Sequence, residues 1–134
     1  MRAAAFRRAL RSFLRTSERV ARHNGLTPQR HLLLLMIKGA PDGSEQATVS
    51  DLARRLELAQ SSVTELVNRA EALELVEREQ SPTDGRVAHV RLTPEGETRL
   101  ARAFRELEVE RVELRAAIEQ LEDSAGRADE RQTG

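Results

Sequence analysis

The sequence predicts a mainly α-helical protein that carries one small β-hairpin, and three observations lead to this fold class. Apolar residues recur at three- and four-residue intervals over most of the chain. Residues 87–92 instead alternate between the two faces of a strand, behind a loop that contains Pro82, Asp84 and Gly85. The last helical pattern, residues 94–122, would be roughly 43 Å long, which is more than a small lobe can cover.

The first helix is predicted within residues 1–24, as an N-terminal dimerisation helix. Phe6, Leu10 and Phe13 lie on one apolar stripe. The opposite face is basic, because residues 1–22 hold seven arginines and one acidic residue. Asn24 and the glycine after it end the helix.

Residues 26–93 are predicted to form a compact lobe of three helices and the hairpin. The first of these helices starts at Thr27, and its apolar run 32–37 is expected to lie at the centre of the core. The second starts with a capping box at Thr48. The third starts at Gln60 after a short turn, so the last two helices read as a helix-turn-helix.

The helix from Gln60 to about Leu73 has a short, polar, partly uncharged outer face. Such a face suits a recognition helix in the major groove of duplex DNA, although an ordinary solvated helix face is the alternative. The candidate DNA contacts on it are Gln60, Ser61, Ser62, Thr64, Asn68 and Arg69. Glu65 lies on the same face, where it would either accept from a cytosine amino group or repel phosphates.

The hairpin, residues 75–92, reads as a wing behind the helix-turn-helix. Arg86 lies at its tip, where a flexible cation is well placed for a narrow, negatively charged minor groove. A solvent-exposed turn arginine is the alternative interpretation.

The last helix carries apolar residues at four- and three-residue steps, which is the 3.5-residue repeat of a coiled-coil seam. A second chain would cover this seam together with the stripe of the first helix. The predicted dimerisation residues are Phe6, Leu10, Phe13, Phe104, Leu107, Leu114, Ile118 and Leu121. Residues 123–134 are predicted to be a disordered tail.

Composition excludes several classes of function. The chain has no Cys, which excludes disulfides and thiolate metal sites. Its three Phe, without Trp or Tyr, make aromatic stacking on single-stranded nucleic acid improbable. No run approaches the roughly 18 apolar residues of a membrane span, so a cytoplasmic protein is expected.

Nothing in the sequence indicates catalysis, a metal site or a cofactor. The three histidines lack ligand spacing, and no nucleophile–base pair, glycine-rich phosphate loop or carboxylate pair occurs. We therefore do not expect an enzyme. The formal net charge is zero, with 22 basic and 22 acidic residues, so any attraction to phosphate must come from local segregation of charge.

Taken together, residues 7–121 resemble the MarR (multiple antibiotic resistance regulator) family of bacterial transcription factors. The matching segments are 25–29, 48–56, 61–64, 75–78, and 84–86 with 92–96 behind them. The chain departs from the family where Ala59 replaces a Ser or Thr cap and Glu74 replaces a helix-ending glycine. Gln60 and Glu65 stand where arginine is frequent, and the final helical segment of many members is missing or reduced.

The resemblance implies a homodimer whose terminal helices interlock and whose two winged lobes bind a pseudo-palindromic duplex, most often as a repressor. It implies that Arg86 reaches the minor groove and that Asp84 holds the wing tip by pairing with an arginine. Many members also bind small aromatic anions near the junction of lobe and dimer base. The residues that would line such an effector pocket are Arg15, Arg19, Arg30 and His31.

A second interpretation is a winged-helix dimerisation or protein-interaction module whose DNA surface has decayed. It is favoured by the neutral net charge and by four acidic residues along or just after the recognition helix. These residues are Glu65, Glu71, Glu74 and Glu77.

Overall fold

The computed structural model describes residues 2–133, apart from the side chains at positions 128, 132 and 133. The elements in chain order are Arg2–His23 (α1), Pro28–Lys38 (α2), Gln46–Ala47 (β1), Val49–Leu56 (α3), Gln60–Ala72 (α4), Val76–Gln80 (β2), Ala88–Leu92 (β3), Pro94–Glu106 (α5) and Glu108–Thr133 (α6). The predicted fold class, mainly helical with a small wing, is confirmed. Within the described residues, no helix is both long and apolar enough to span a bilayer.

The chain divides into two compact units. The winged lobe runs from Ala21 to Arg102. The terminal-helix unit combines the residues up to Val20 with those from Ala103 onward.

The winged lobe contains three antiparallel strands in the order β1-β3-β2, one more than the sequence predicted. Val76 pairs with Leu92, and Gln80 pairs with Ala88, which sets the register of the wing. The missed strand, β1, pairs with β3 through two residues only. A strand this short shows no alternation, so the sequence pattern could not reveal it.

The core of the winged lobe gathers around α2, as the sequence predicted. Leu33, Leu34 and Ile37 are fully buried. The apolar run is not buried all round, however, because Leu32 and Leu35 remain 43% and 41% exposed. One face of α2 therefore packs against the core of the lobe, whereas its other face exposes apolar side chains to solvent.

Side-chain caps define the starts of the lobe helices where the sequence predicted them. The Thr27 hydroxyl accepts a hydrogen bond from the Arg30 N–H at 3.2 Å, at the start of α2. At the start of α3, the Thr48 hydroxyl accepts from the Asp51 N–H at 3.1 Å, and the Asp51 carboxylate accepts from the Thr48 N–H at 3.4 Å. This reciprocal pair is the predicted capping box.

In the terminal-helix unit, α1 runs antiparallel to α6. Arg2 Nη1 donates to Ser124 Oγ at 2.9 Å near one end, and Val20 packs with Ala103 and Leu107 at the other. The unit therefore buries part of the predicted apolar stripes inside one chain.

The sequence predicted one continuous helix over residues 94–122, whereas the structure divides it at Leu107. Arg111 explains the division, because its Nη2 donates to the Phe104 carbonyl at 2.8 Å. The guanidinium also lies 3.5 Å from the centroid of the Phe104 ring, where a cation is attracted to the aromatic face. Arg111 lies on the 3.5-residue repeat of the predicted coiled-coil seam, and its two contacts with Phe104 stabilise the end of α5.

The prediction of a disordered tail over residues 123–134 is wrong for its described part. Helix α6 continues to Thr133, and Gly134 lies outside the described residues. Proline is absent from this segment, and half of its residues are strong helix formers, namely Ala, Glu, Arg and Gln. Charge and low hydropathy alone suggested disorder there, but they do not oppose a helix.

His31 makes the stability of the winged lobe sensitive to mild acid. It is buried in α2 with 5% of its surface exposed, and this burial lowers its pKa below the ordinary value of 6.5. The unfolded chain therefore takes up a proton first as the pH falls, so stability is complete above about pH 6.5 and declines below it. We expect the denaturant midpoint to be lower at pH 5.5 than at pH 7.5, and His31→Leu to reduce that difference. An equal difference in the two proteins would contradict the role of His31.

Candidate nucleic-acid interface

An open groove runs across the winged lobe between the starts of α3 and α4 and the wing. The residues that line it are Thr48, Val49, Ser50, Gln60, Ser61, Thr64, Arg78, Arg86, Val87 and Ala88. Polar side chains from two helices and two arginines from the wing therefore face one surface. Four residues predicted from the sequence to contact DNA, namely Gln60, Ser61, Thr64 and Arg86, come together here.

Packing of α4 determines which of its residues face outward. Val63, Val67 and Ala70 are fully buried against the core. Because a helix turns 100° per residue, Ser61 and Asn68 then lie on the opposite, exposed face. The polar face predicted from the sequence is thus the solvent face of α4.

The start of α4 is fixed by a contact with α3 rather than by a side-chain cap. Ala59 provides no cap hydrogen bond, as its methyl side chain dictates. Gln60 instead contacts Ser50, with 2.5 Å between Nε2 and Oγ. This bond ties the first residue of the candidate recognition helix to the preceding helix.

Not all of the predicted residues share the groove. Ser62 and Arg69 lie on the other edge of α4, beside Leu58 and Glu65, where they line a separate shallow depression. Arg69 Nη2 is paired there with the Glu65 carboxylate at 2.6 Å, and both side chains are 64% exposed. Asn68 lies between the two edges and is bound by Arg78.

Arg78 is a site residue that the sequence analysis missed. It pairs with Val90 in the β2–β3 register, so its side chain leaves the sheet on the face that carries buried Val90. That face meets α4, where Arg78 Nη2 donates to Asn68 Oδ1 and Nε lies 3.6 Å from a Glu71 carboxylate oxygen. The alternation of Val76, Arg78 and Gln80 was the signal that could have revealed this placement.

The outer face of the wing is neutralised by its own charges. Arg91 pairs with Glu77 directly across the two strands and with Glu79, with nitrogen–oxygen distances of 3.1 Å in each case. These ion pairs are about half exposed, so each adds little to stability. The two ion pairs hold the Arg91 guanidinium on the face of the wing that points away from α4.

The wing tip is shaped by hydrogen bonds within its loop. Asp84 Oδ1 accepts from the Arg86 backbone N–H at 3.0 Å, and Ser81 Oγ accepts from the Asp84 N–H at 3.3 Å. Asp84 therefore holds the tip through the main chain, not through the arginine side chain that the resemblance implied. Among the described residues, the exposed Arg86 guanidinium has no hydrogen-bond or ion-pair partner.

One acidic group beside the groove has a lowered pKa. The Thr48 hydroxyl bond, followed by the Thr48 backbone N–H, lowers the pKa of Asp51 below its usual value, and nearby Arg54 adds to the effect. The carboxylate is therefore ionised at neutral pH and stabilises the first turn of α3.

Other kinds of site find little support. Over residues 2–133, no cluster of three or more side chains is suited to hold a metal ion. Of the predicted effector-pocket residues, Arg15 and Arg19 belong to the terminal-helix unit, and Arg30 and His31 belong to the winged lobe. This pocket stays a prediction.

Glu74 follows the end of α4 in a left-handed conformation, with φ of +59°. A residue with a Cβ costs roughly 1–2 kcal/mol there. Glu74→Gly is therefore expected to raise the free energy of unfolding by about 1 kcal/mol, measured as a higher denaturant midpoint at constant slope. Glu74→Ala removes the same charge but keeps the Cβ, so it should give no such gain. Equal gains in both variants would assign the effect to charge instead.

Comparisons with known proteins identify relatives in sequence and solved structures with a similar fold. A sequence model described as MarR family matches residues 24–87. The uncharacterised HTH-type transcriptional regulator YsmB of Bacillus subtilis is 44% identical over 50 residues, which cover 37% of this chain and 34% of YsmB. A putative transcriptional regulatory protein for the hcr operon of Thauera aromatica is 35% identical over 94 residues, covering 70% of this chain. The chain spans about half the length of that protein, at 52%.

Solved structures match over nearly the full chain at low identity. A mutant of S. aureus MepR bound to an oligodeoxyribonucleotide superposes with a TM-score of 0.71 and 16% identity, covering 99% of this chain and 95% of its own. A mutant of MarR from E. coli gives a TM-score of 0.71 with 19% identity, and 91% of each chain is covered. These two structures establish likeness of fold.

Proposed function

Because this chain belongs to the MarR family, we propose that it is a transcription regulator that binds double-stranded operator DNA as a homodimer in the bacterial cytoplasm. The proposed operator is a pseudo-palindrome, since a two-fold dimer presents the same surface twice. Repression is the proposed outcome, with release by a small molecule. The relatives found are described as transcription regulators, and none of their descriptions names an enzyme.

The groove between α4 and the wing is the observation that carries this proposal. Gln60, Ser61 and Thr64 offer uncharged hydrogen-bonding groups of the kind that contact base edges and phosphates. Arg86 extends from the wing tip, where it supplies a cation without an internal partner among the described residues. MepR, whose fold this chain shares, was solved with an oligodeoxyribonucleotide, which supports DNA as the proposed ligand.

The surface of the terminal-helix unit supports the homodimer. Its exposed large apolar residues are Leu10, Leu14, Phe104, Val109, Val112 and Ile118. Leu10 and Leu14 lie one turn apart on α1, and apolar exposure that continues along a helix face marks an interface in soluble proteins. Within one chain, Leu107 is buried already, so the proposed partner covers the remaining residues.

A charged substitution in this surface should separate the subunits. Ile118 is 39% exposed, so Ile118→Glu is compatible with the folded chain but not with burial against a partner. We expect the variant to have the mass of a monomer at micromolar concentration by light scattering, whereas the unmodified chain has that of a dimer. Gln120→Glu adds the same charge at an exposed polar position of α6 and should remain dimeric. A monomeric unmodified chain would contradict the proposal.

Selection of bound sequences from random duplexes tests the proposed function directly. We expect enrichment of an inverted repeat whose half-sites are about one helical turn apart. The interaction-module alternative rests on a specific observation, namely that Arg69 and Arg91 are both paired with carboxylates of the chain itself. No retention of duplex DNA, even at low ionic strength, would favour that alternative.

A further inference from the structure

We infer that Arg78 of the wing fixes the orientation of the Asn68 amide, so that Asn68 reads guanine in the major groove and not adenine. The inference rests on the proposed function, because it concerns how the exposed face of α4, beside the groove, selects its DNA. Arg78 is the positioning residue, and Asn68 is the residue that contacts the base.

The contact itself settles which atom of Asn68 points inward. The two ends of an asparagine amide are normally hard to tell apart, and their assignment depends on the surrounding hydrogen bonds. Arginine has only donors, so the atom that faces Arg78 Nη2 must be the acceptor Oδ1. The Nδ2 group, with its two N–H donors, is then the end that Asn68 presents to solvent.

Arg78 is itself held in place on the inner face of the wing. Its side chain is only 30% exposed, and Nε lies 3.6 Å from the Glu71 carboxylate, one turn along α4 from Asn68. The strand register with buried Val90 keeps the side chain on that face. A partly buried arginine held at two points loses little further freedom on binding, so the amide orientation persists.

Base chemistry converts this orientation into a preference. Guanine presents two acceptors in the major groove, O6 and N7, whereas adenine presents N7 beside an N6 donor. Asparagine recognises adenine by accepting from N6 and donating to N7 together. In this structure Oδ1 already accepts from the Arg78 guanidinium. An adenine N6 group that donated to the same oxygen would lie next to that positive charge, which is unfavourable. Guanine has no such donor, and its acceptors suit the outward N–H groups.

Gln60, the amide side chain that lines the groove itself, is not fixed in this way. Its partner is the Ser50 hydroxyl, which can either donate or accept. The preference for guanine is therefore assigned to Asn68 alone.

Selection from random duplexes with the unmodified protein and with Asn68→Ala locates the base pair that Asn68 reads. That pair is the position in each half-site at which the alanine variant loses its preference. We expect it to be G·C in the unmodified protein. An A·T pair there, or no position that responds to Asn68→Ala, would overturn the inference.

Two further variants test the part played by Arg78. Arg78→Met keeps an apolar stem but removes the donors, so the amide can turn, and the preference for G·C over A·T should fall about tenfold at that position. Asn68→Asp keeps an acceptor for Arg78 but has no donor, so it should fold normally and also lose the preference for guanine. If either folded variant retains the original preference, the inference is wrong.

A matched control and a separable outcome complete the design. Arg91→Met removes the same charge from the outer face of the same wing, so base preference should be unchanged and overall affinity should change little. Enrichment of an inverted repeat without the predicted base changes would defeat this inference and leave the proposed function intact. Absence of any enriched sequence would defeat the proposed function itself.

Discussion

Gly96→Ala is expected to destabilise the winged lobe by about 3 kcal/mol or more, the largest effect on stability that we predict. A Cβ at Gly96 would lie 2.1 Å from the carbonyl oxygen of Leu75, which belongs to the main chain and cannot turn aside like a flexible side chain. The same carbonyl accepts from the Thr93 N–H at 3.0 Å, and the Thr93 hydroxyl accepts from the Gly96 N–H at 3.1 Å. The start of α5 is therefore fixed against the entry to the wing, with no room for a methyl group.

The measurement is the free energy of unfolding by denaturant, with Gly126→Ala as the matched control. Gly126 lies in α6, and a Cβ there meets nothing within 4 Å. Alanine has a higher helix propensity than glycine, so this control is expected to be neutral or stabilising by up to about 1 kcal/mol. A loss below about 1 kcal/mol for Gly96→Ala would show that the junction between α5 and the wing yields easily.

Arg86→Ala is expected to weaken binding to the selected operator roughly tenfold, or about 1.4 kcal/mol. The prediction rests on the proposed function. The Arg86 side chain is exposed at the wing tip and has no internal partner among the described residues, so no intramolecular bond has to break before it meets DNA. Loss of one cation from the surface that meets the negatively charged duplex should also make the slope of log K against log salt shallower by about 1.

Arg91→Ala and Arg86→Lys are the controls for this prediction. Arg91 is paired with Glu77 and Glu79 on the outer face, so its removal should change affinity much less. Arg86→Lys keeps the charge, which should restore most of the salt slope. An unchanged slope in Arg86→Ala would mean that the wing tip does not approach the duplex.

Local patterns explain why much of the fold could be predicted. The caps at Thr27 and Thr48 are interactions between residues three positions apart, so their spacing is visible in the chain. The strand at residues 88–92 follows from its alternation, and the buried face of α4 follows from its helical period. The outward positions of Gln60, Ser61 and Asn68 follow from the same period.

The first error, the prediction of one continuous helix over residues 94–122, arises because a contact between residues seven positions apart decides the outcome. The division between α5 and α6 depends on Arg111, whose guanidinium reaches back to the Phe104 carbonyl and ring. Heptad spacing places Arg111 on the seam but does not indicate which carbonyl it will meet. The second error has a different origin, since the tail reads as polar and charged, which does not distinguish a solvated helix from a disordered segment.

The sequence by itself therefore determined the helical fold with its wing, the capped helix starts and the polar face of α4, since each of these depends on residues close together along the chain. Only the tertiary structure decided which polar groups converge in the groove, that Asp84 binds the main chain of Arg86, and that Arg78 binds Asn68. The physical reason is that hydrogen bonds and ion pairs act over a few ångströms. Residues 68 and 78 come within that range only when β2 packs against α4.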